Sequence, residues 1–413
     1  MTIEQPDAVL RRLPVVEFVI LLATLFAMTA FSIDAMLPAL PEIARDLTPE
    51  NPNRAQLIIT SFVLGMGLGT FAAGPLSDSF GRRATILVGA LIYAIGALLA
   101  WKAPTFEWML LARLLQGLGV AGPRIAGMAL VRDLYSGRQM AQLISFVMMI
   151  FTLVPAVAPL IGSFIIAGFG WRAVFVAFIL FAALATIWFG VRQPETLPPA
   201  RRLPLSARPM IRAAKEVLSN RTVVLVLAVQ SLTFASLFST LSATQQIFDH
   251  YFGRGAEFPY WFAVIALLAG TASIVNARLV VRVGMRRMAE VTYAAQTVLS
   301  LVLAALFASG VLSGPDSFPI YLGWTVSVFF MVGLTLGNLN AIGLEPMGHI
   351  AGMAASLMTA LATVISVIIA YPIGRVFDDT PRPLIIGVLI CSALAYGLMQ
   401  LLKRQETQGT RRQ

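Results

Sequence analysis

The chain has 413 residues, of which 58% are hydrophobic and only 12% are charged. Soluble globular proteins carry about 25% charged residues, so the composition excludes a protein whose whole surface faces water. One cysteine and two scattered histidines predict neither a disulfide nor a metal site, and no cofactor motif is found. The net charge of +10 is spread over many short loops, and nucleic-acid binding is therefore not expected.

Apolar segments follow one another at the length of membrane-spanning helices, each of which needs about 20 residues. The first segment is too long for a signal peptide and lacks a cleavage site of that type. The predicted spans are 17–40, 54–76, 84–103, 106–129, 142–168, 172–191, 221–247, 258–280, 289–311, 318–341, 350–373 and 383–402. The sequence therefore predicts an all-α integral membrane protein with twelve transmembrane helices.

Lysine and arginine are distributed unequally between the two sides of these spans. With the N-terminus inside, the inner loops and termini hold 20 of these residues and the outer loops hold 7. Positive charge is enriched in cytoplasmic loops. We therefore expect both termini in the cytoplasm and the protein in a bacterial inner membrane.

The longest inner loop divides the chain into two halves. Residues 192–220 are rich in proline and arginine, with six spans in 1–191 and six in 221–413. The stretch "GPLSDSFGRRATIL" in the first half is echoed by "ARLVVRVGMRRMAEV" in the second. Paired six-helix repeats with a site at their interface are typical of secondary transporters. The sequence predicts two pseudo-symmetric six-helix bundles around a central cavity, joined by a basic, proline-rich cytoplasmic linker.

The first of these loops carries a recognisable signature. "GPLSDSFGRR", with Gly74, Asp78, Gly81, Arg82 and Arg83, resembles the loop 2–3 motif of the major facilitator superfamily. The resemblance implies the major facilitator fold and a gating role for these residues.

Further motifs narrow the resemblance. "ARLLQGLG" around Arg113 resembles the helix 4 motif of the superfamily, and "VPAVAPLIG", with Pro155, Pro159 and Gly162, is similar to the helix 5 motif of its exporters. "DAMLPALPEIA", "VRDLY" and "EPMGHIAGMAASL" resemble the bicyclomycin/chloramphenicol-resistance branch of drug–proton antiporters. The resemblance runs from about residue 17 to residue 402 and implies proton-coupled drug efflux.

Asp78 lies just beyond the second span on the inner side. There a carboxylate can meet a helix N-terminus or an arginine such as Arg132 and hold the halves closed, a latch that the resemblance implies. A solvated loop aspartate is the alternative. The second half has Val281 where Asp78 would align, so only the first half carries the complete signature.

The fifth span contains two prolines four residues apart. A proline inside a helix removes a backbone hydrogen bond and bends the helix. Pro155 and Pro159, beside Gly162, therefore predict a bent helix packed tightly against the other half. A static kink without a gating role is the alternative.

Asp34 is the only carboxylate deep within a predicted span. It lies roughly 7 Å from the midplane, at nearly the same depth as Arg113 on the fourth span. Arg124 follows three helical turns after Arg113 on the same face. Because charged side chains inside a membrane avoid lipid, we expect these residues to line the cavity, with Asp34 as proton carrier and Arg113 as its partner. A fixed structural pair of Asp34 and Arg113 is the alternative.

Further substrate contacts are expected on other spans. Aromatic side chains with a few polar groups suit apolar drugs, although such a stripe also occurs in ordinary packing. The candidate substrate contacts, in addition to Asp34, Arg113 and Arg124, are Phe31, Phe234, Phe238, Gln245, Asn338 and Asn340.

The function predicted from these features is proton-coupled efflux of drug-like small molecules by a monomer that alternates its access between the two faces. Transport of an ordinary metabolite, such as a sugar or amino-acid derivative, is the alternative. A membrane enzyme or a sensor is disfavoured because no reactive constellation, nucleotide loop or soluble domain is found in the sequence.

Overall fold

The computed structural model describes residues 13–376, 378 and 380–410. Two parts of the sequence predictions lie outside these residues. They are the N-terminal arginines at 11 and 12 and the C-terminal arginines at 411 and 412, which contributed to the charge comparison.

The described residues form fourteen α-helices, several short 3-10 turns and one π-helical turn, Ile247–Tyr251, and they contain no β-strand. The α-helices are α1 (Val15–Asp34), α2 (Leu40–Leu47), α3 (Gln56–Phe80), α4 (Arg82–Trp101), α5 (Phe106–Leu134), α6 (Gly137–Phe169), α7 (Arg172–Arg192), α8 (Ala207–Ser219), α9 (Arg221–Gln246), α10 (Phe258–Val283), α11 (Met285–Ala308), α12 (Phe318–Leu344), α13 (Ala351–Arg375) and α14 (Arg382–Thr410).

Apolar helical segments long enough to cross a membrane number eleven in the described part of the chain. One of them, Pro315–Arg375, has 61 residues and contains both α12 and α13, which are separated by the 3-10 turn Glu345–Ile350. Twelve helices can therefore cross, namely all except α2 and α8. The predicted all-α membrane fold is confirmed.

The first span differs from its prediction. The segment 17–40 was expected to be one helix, but α1 ends at Asp34, a 3-10 turn follows at Leu37–Ala39, and α2 continues from Leu40. Pro38 has no N–H to donate to the Asp34 carbonyl four residues earlier, so the α-helical ladder stops there.

Glycines allow α3, α4 and α5 to pack closely. A side chain at Gly117 on α5 would collide with the backbone carbonyl of Phe62 on α3, and one at Gly65 would collide with that of Leu114. On α4, Gly89 lies against Gly119 and Gly122 of α5. Small residues at such crossings let helix backbones approach in lipid, where packing drives association.

Contacts between α3 and α13 and between α6 and α10 connect the first six spanning helices with the last six. The division into 1–191, 192–220 and 221–413 stays a prediction. We use "inner face" for the side that holds the loop between α3 and α4, and "outer face" for the side that holds α2, following the predicted orientation.

Candidate functional site

Asp34 lies at the point where α1 breaks. Its side chain is buried, with 4% of the residue exposed. Within the described residues it forms neither a hydrogen bond nor an ion pair. The Asp34 carboxylate is therefore buried without a charged partner among the described residues. The backbone that follows it is not α-helical, because the helix ends before Pro38.

Arg113 on α5 is completely buried and reaches the same end of α1. Its Nη2 donates to the carbonyl of Ser32 at 3.0 Å, and its Nη1 donates to Oε1 of Gln116 at 2.7 Å. Its Nε lies 3.4 Å from the carbonyl of Ile58, and the guanidinium stacks over the ring of Phe62 at 4.4 Å. Because the last carbonyls of a helix lack intrahelical partners and carry partial negative charge, Arg113 acts as a side-chain cap for α1.

The sequence predicts Asp34 and Arg113 at nearly the same depth in the membrane, with the charge of each compensating that of the other. The structure does not pair them: Arg113 binds the backbone two residues before Asp34 rather than its carboxylate. Depth along two helices fixes one coordinate only, whereas the rotation of each helix decides which atoms meet.

Tyr93 on α4 completes this cluster and was missed by the sequence analysis. Its hydroxyl lies 2.5 Å from that of Ser32, which also donates to the carbonyl of Met28. In the same cluster, Nε2 of Gln116 is buried and has no hydrogen-bond partner among the residues that the structure describes. A lone tyrosine in the apolar middle of α4 was the available signal. Together these groups form a buried polar site around the end of α1.

The second arginine of α5, Arg124, lies apart from this cluster. It is half-buried, and its Nη1 lies 3.6 Å from the sulfur of Met66 on α3. Its role as a substrate contact stays a proposal.

The fifth spanning helix, α6, runs without interruption through Pro155 and Pro159. The bend predicted at these prolines and its gating role stay a prediction. Gly162 packs against the backbone of Ala35, which follows Asp34, rather than against the other half. The contact with the other half lies elsewhere on α6, where Gly270 of α10 approaches Thr152.

The aromatic candidate substrate contacts pack against other aromatic rings. Phe31 packs against Phe178 and Phe181 of α7, with ring centroids 5.4 and 5.3 Å apart. Phe234 and Phe238 stack on each other along α9 at 5.9 Å. Phe31 therefore packs within the first six helices, and its role as a substrate contact stays a proposal.

The polar candidate substrate contacts, Asn338, Asn340 and Gln245, lie in different surroundings. Asn338 on α12 donates to Oδ1 of Asn276 on α10 at 2.8 Å, and Asn340 accepts from Gln230 on α9 at 3.5 Å. These amides link neighbouring helices, and their role as substrate contacts stays a proposal. Gln245 on α9 is buried, and its Oε1 has no hydrogen-bond partner among the described residues; its role as a substrate contact stays a proposal.

The inner signature forms a charged cluster around Arg82. This guanidinium binds Asp78 four residues earlier and Asp133 of α5, the latter at 3.0 Å. Asp78 thus meets an arginine, Arg82, rather than the Arg132 named as an example, and its latch role stays a proposal. Gly81 has a positive φ of 102° that lets the chain turn sharply from α3 into α4.

Glu195, which the sequence analysis missed, caps the start of α4. Its carboxylate accepts the backbone N–H groups of Arg82 and Arg83 at 3.0 and 3.1 Å. The side chain of Arg83 donates to the carbonyl of Gly190 at the end of α7. Carboxylates favour helix N-termini, where free N–H groups and partial positive charge meet. An acid directly after a spanning helix was the available signal.

Two cavities lie at opposite faces. The inner cavity, of about 360 Å³, is lined by α3, α5, α13 and the linker; Gly74, Asp78, Arg132 and Gly352 are among its lining residues. The outer cavity, of about 340 Å³, lies between α3, α9 and α13, with Phe238 in its wall.

A pair of glutamines connects the halves near the outer face. Nε2 of Gln56 on α3 donates to Oε1 of Gln246 on α9 at 2.6 Å, and Gln246 donates to the carbonyl of Pro52 at 3.3 Å. Gln56 also contacts Gly374 of α13, where a side chain would clash with it. Three helices from both halves therefore meet at Gln56.

Comparison with known proteins agrees with this architecture. Residues 20–358 match the family model of the Major Facilitator Superfamily. The chain is 30% identical over 388 residues to the "Bicyclomycin resistance protein homolog" of Haemophilus influenzae, covering 92% of this chain and 95% of that protein. It is 28% identical over 374 residues to "Multidrug resistance protein MdtL" of Salmonella typhimurium, covering 88% and 89% of the two chains.

Solved structures share the fold at low identity. A D-xylose–proton symporter matches with a TM-score of 0.70 at 16% identity, covering 92% of this chain and 97% of that one. The human organic anion transporter MFSD10 matches with a TM-score of 0.65 at 18% identity, covering 95% and 99%. The family match over most of the chain, the twelve spanning helices and the Arg82 loop signature lead to one conclusion: the chain belongs to the major facilitator superfamily and is a membrane transporter, not an enzyme.

Proposed function

We propose that this transporter is a drug–proton antiporter that exports drug-like small molecules across a bacterial inner membrane by alternating access. The observation that carries the proposal is the buried Asp34 carboxylate, which has no charged partner among the described residues and lies where α1 breaks. The names of two similar proteins, which refer to bicyclomycin resistance and multidrug resistance, support drugs as the substrate class.

Asp34 is suited to carry a proton because of what surrounds it. An isolated carboxylate that is ionised in a low-dielectric interior is costly unless it is paired. Arg113 does not provide that pairing, since its donors are directed to Ser32, Gln116 and Ile58. Asp34 would therefore cross the occluded state with its proton bound, and lose the proton when the cavity opens to water or a substrate arrives.

Arg113, Tyr93 and Ser32 have a different role in this proposal. Arg113 on α5 and Tyr93 on α4 hold the end of α1 through Ser32, so that a shift of α4 or α5 moves the backbone beside Asp34. Proton exchange at Asp34 is thereby coupled to helix movement. The proton gradient supplies the energy, including about 2.3 kcal/mol per elementary charge for each 100 mV of membrane potential.

The test uses purified protein reconstituted into vesicles with an imposed pH gradient and radiolabelled bicyclomycin as the first probe. Asp34→Asn keeps the shape of the protonated side chain but cannot release a proton. We expect it to lose gradient-driven accumulation while exchange of the drug without a gradient survives. Asp316→Asn, at an exposed turn, is the matched control and should transport like the parent protein. Full gradient-driven accumulation by Asp34→Asn would refute Asp34 as the carrier.

The proposal also includes the orientation of the protein in the membrane, because export requires the inner face to lie in the cytoplasm. Fusion of a reporter that is active only in the cytoplasm after Arg404 should give signal, and a reporter active only in the periplasm should not. The opposite result would reverse the assignment of the inner and outer faces.

A further inference from the structure

The linker between the halves contains a helix, α8, that the sequence analysis did not predict. One face of α8 is buried: Ala213 and Val217 pack against the ends of α9 and α13. Oε1 of Glu216 lies 2.7 Å from Nε2 of His349, which precedes α13. The helix is thus docked on the second half, at the level where the spanning helices begin.

A second face of α8 leaves large apolar side chains uncovered. Ile211 is 63% exposed and Leu218 is 53% exposed. Seven residues are close to two helical turns, so the two side chains lie on one line along the helix. Upstream in the linker, Leu203 and Leu205 are 63% and 58% exposed. Exposed apolar side chains on spanning helices face lipid, but α8 has only 13 residues and is too short to cross a membrane.

Basic side chains border this apolar line. Arg208, Arg212 and Lys215 are exposed, and no ion pair joins any of them to a residue that the structure describes. From 201 to 220 the linker has five basic residues and one acidic residue, Glu216, which lies within hydrogen-bond distance of His349. The face therefore combines two apolar side chains with a row of unneutralised positive charge.

We propose that this face of α8 binds the surface of the inner leaflet, with Ile211 and Leu218 among the acyl chains and the basic residues on anionic phospholipid headgroups. A helix that has an apolar strip bordered by lysine and arginine lies in the plane of a membrane interface. Anionic lipids of the cytoplasmic leaflet attract such basic segments. The positive charge of this face of α8 therefore favours an anionic lipid surface over an uncharged partner.

This attachment has a structural consequence for the linker. Its upstream part is tied to the first half, because the N–H of Leu203 donates to the carbonyl of Asp78 at 3.0 Å. Its downstream part, α8, is docked on the second half through Glu216 and His349. A membrane-bound α8 would hold the connection between the halves at a fixed depth, whichever substrate is carried.

The experiment places a single cysteine in the Cys391→Ala background and labels it with an environment-sensitive fluorophore. Ile211→Cys and Leu218→Cys report on the apolar line, and Ser219→Cys reports on the polar side of the same helix. The labelled full-length proteins are reconstituted in vesicles of phosphatidylcholine with or without about 30% phosphatidylglycerol, which gives the vesicles a negatively charged surface. Quenching by a lipid with a nitroxide near its headgroup is compared with quenching by acrylamide in the water.

We expect the lipid quencher to be at least twice as effective at 211 and 218 as at 219, and acrylamide to show the reverse order. Removing phosphatidylglycerol should weaken the lipid quenching at 211. The triple change Arg208→Gln, Arg212→Gln and Lys215→Gln should abolish this dependence on anionic lipid. The control triple change Arg138→Gln, Arg282→Gln and Arg404→Gln, which removes three other exposed inner-face charges, should leave it intact.

Three outcomes would overturn the proposal. Equal quenching at 211 and 219 would mean that α8 does not lie on the bilayer. Protection of residue 211 from both quenchers would mean that protein, such as a second copy of the chain, covers the face. Lipid quenching at 211 that is unaffected by phosphatidylglycerol and by the triple change would exclude recognition of anionic headgroups. None of these measurements depends on transport, so failure of the proposed function would leave them unaffected.

Discussion

Gly162 of α6 lies directly against the backbone carbonyl of Ala35, the residue that follows Asp34. The contact exists because glycine has no side chain to separate the two helices. It places α6, one of the helices that meet the other half, against the break in α1. A movement of α6 would therefore be transmitted to the backbone next to Asp34, the candidate proton site.

The first prediction concerns that contact. Gly162→Ala would place a Cβ on the Ala35 carbonyl, and overpacking of this kind typically costs about 1–3 kcal/mol. We expect a lower temperature of thermal unfolding and a several-fold loss of transport. The control is Gly168→Ala on the same helix, where an added Cβ meets no atom within 4 Å. If the two variants behave alike, the close approach at Gly162 has no functional importance.

The second prediction concerns Arg113. Arg113→Ala leaves the carbonyl of Ser32 and the amide of Gln116 without their donor, and each unsatisfied buried group costs about 1–3 kcal/mol. Arg113→Lys keeps the charge but not the fork of donors, so it should recover only part of the transport. Both effects are measured as initial rates in vesicles and as thermal stability. Full activity of Arg113→Lys would show that charge alone matters at this position.

The third prediction compares two carboxylates of the inner cluster. The Asp78 side chain is 48% exposed where it binds Arg82, and exposed ion pairs contribute about 0–1 kcal/mol. Glu195 accepts four backbone N–H groups, including those of Arg82, Arg83 and Leu197, and charged acceptors contribute about 1.5–3 kcal/mol.

We therefore expect Glu195→Ala to lower the thermal stability clearly more than Asp78→Asn. Asp78→Asn should instead act on transport, since Asp78 lines the inner cavity. Unchanged transport by Asp78→Asn would make it a solvated residue without a latch role, and equal stability losses would contradict the capping role of Glu195.

The fourth prediction concerns the outer face. If Gln56 and Gln246 must separate to release substrate, linking them covalently should stop transport. The double variant Gln56→Cys and Gln246→Cys, in the Cys391→Ala background, is treated with a short bifunctional methanethiosulfonate reagent. We expect transport to fall at least tenfold and to return after reduction. Each single-cysteine variant with the same reagent is the control, and transport by the linked double variant would exclude an outer gate at this pair.

The sequence by itself determined the membrane environment, the number of spans and the place of the acid in the first span. Each of these follows from composition along the chain, because lipid forces apolar helices of a fixed length. The break after Asp34 was also encoded locally, since a proline four residues later removes one backbone donor, although the break itself was not predicted.

The tertiary structure alone decided which side chains meet. Arg113 and Asp34 lie at nearly the same predicted depth, but packing directs the guanidinium to the carbonyl of Ser32. Asp78 likewise binds Arg82 rather than Arg132. Tyr93, Glu195 and the pair of Gln56 and Gln246 belong to helices or loops far apart in the sequence. Position along the chain fixes the height of a residue in the membrane, whereas the rotation of each helix about its axis is fixed only by its neighbours, as at Gly162 and Ala35.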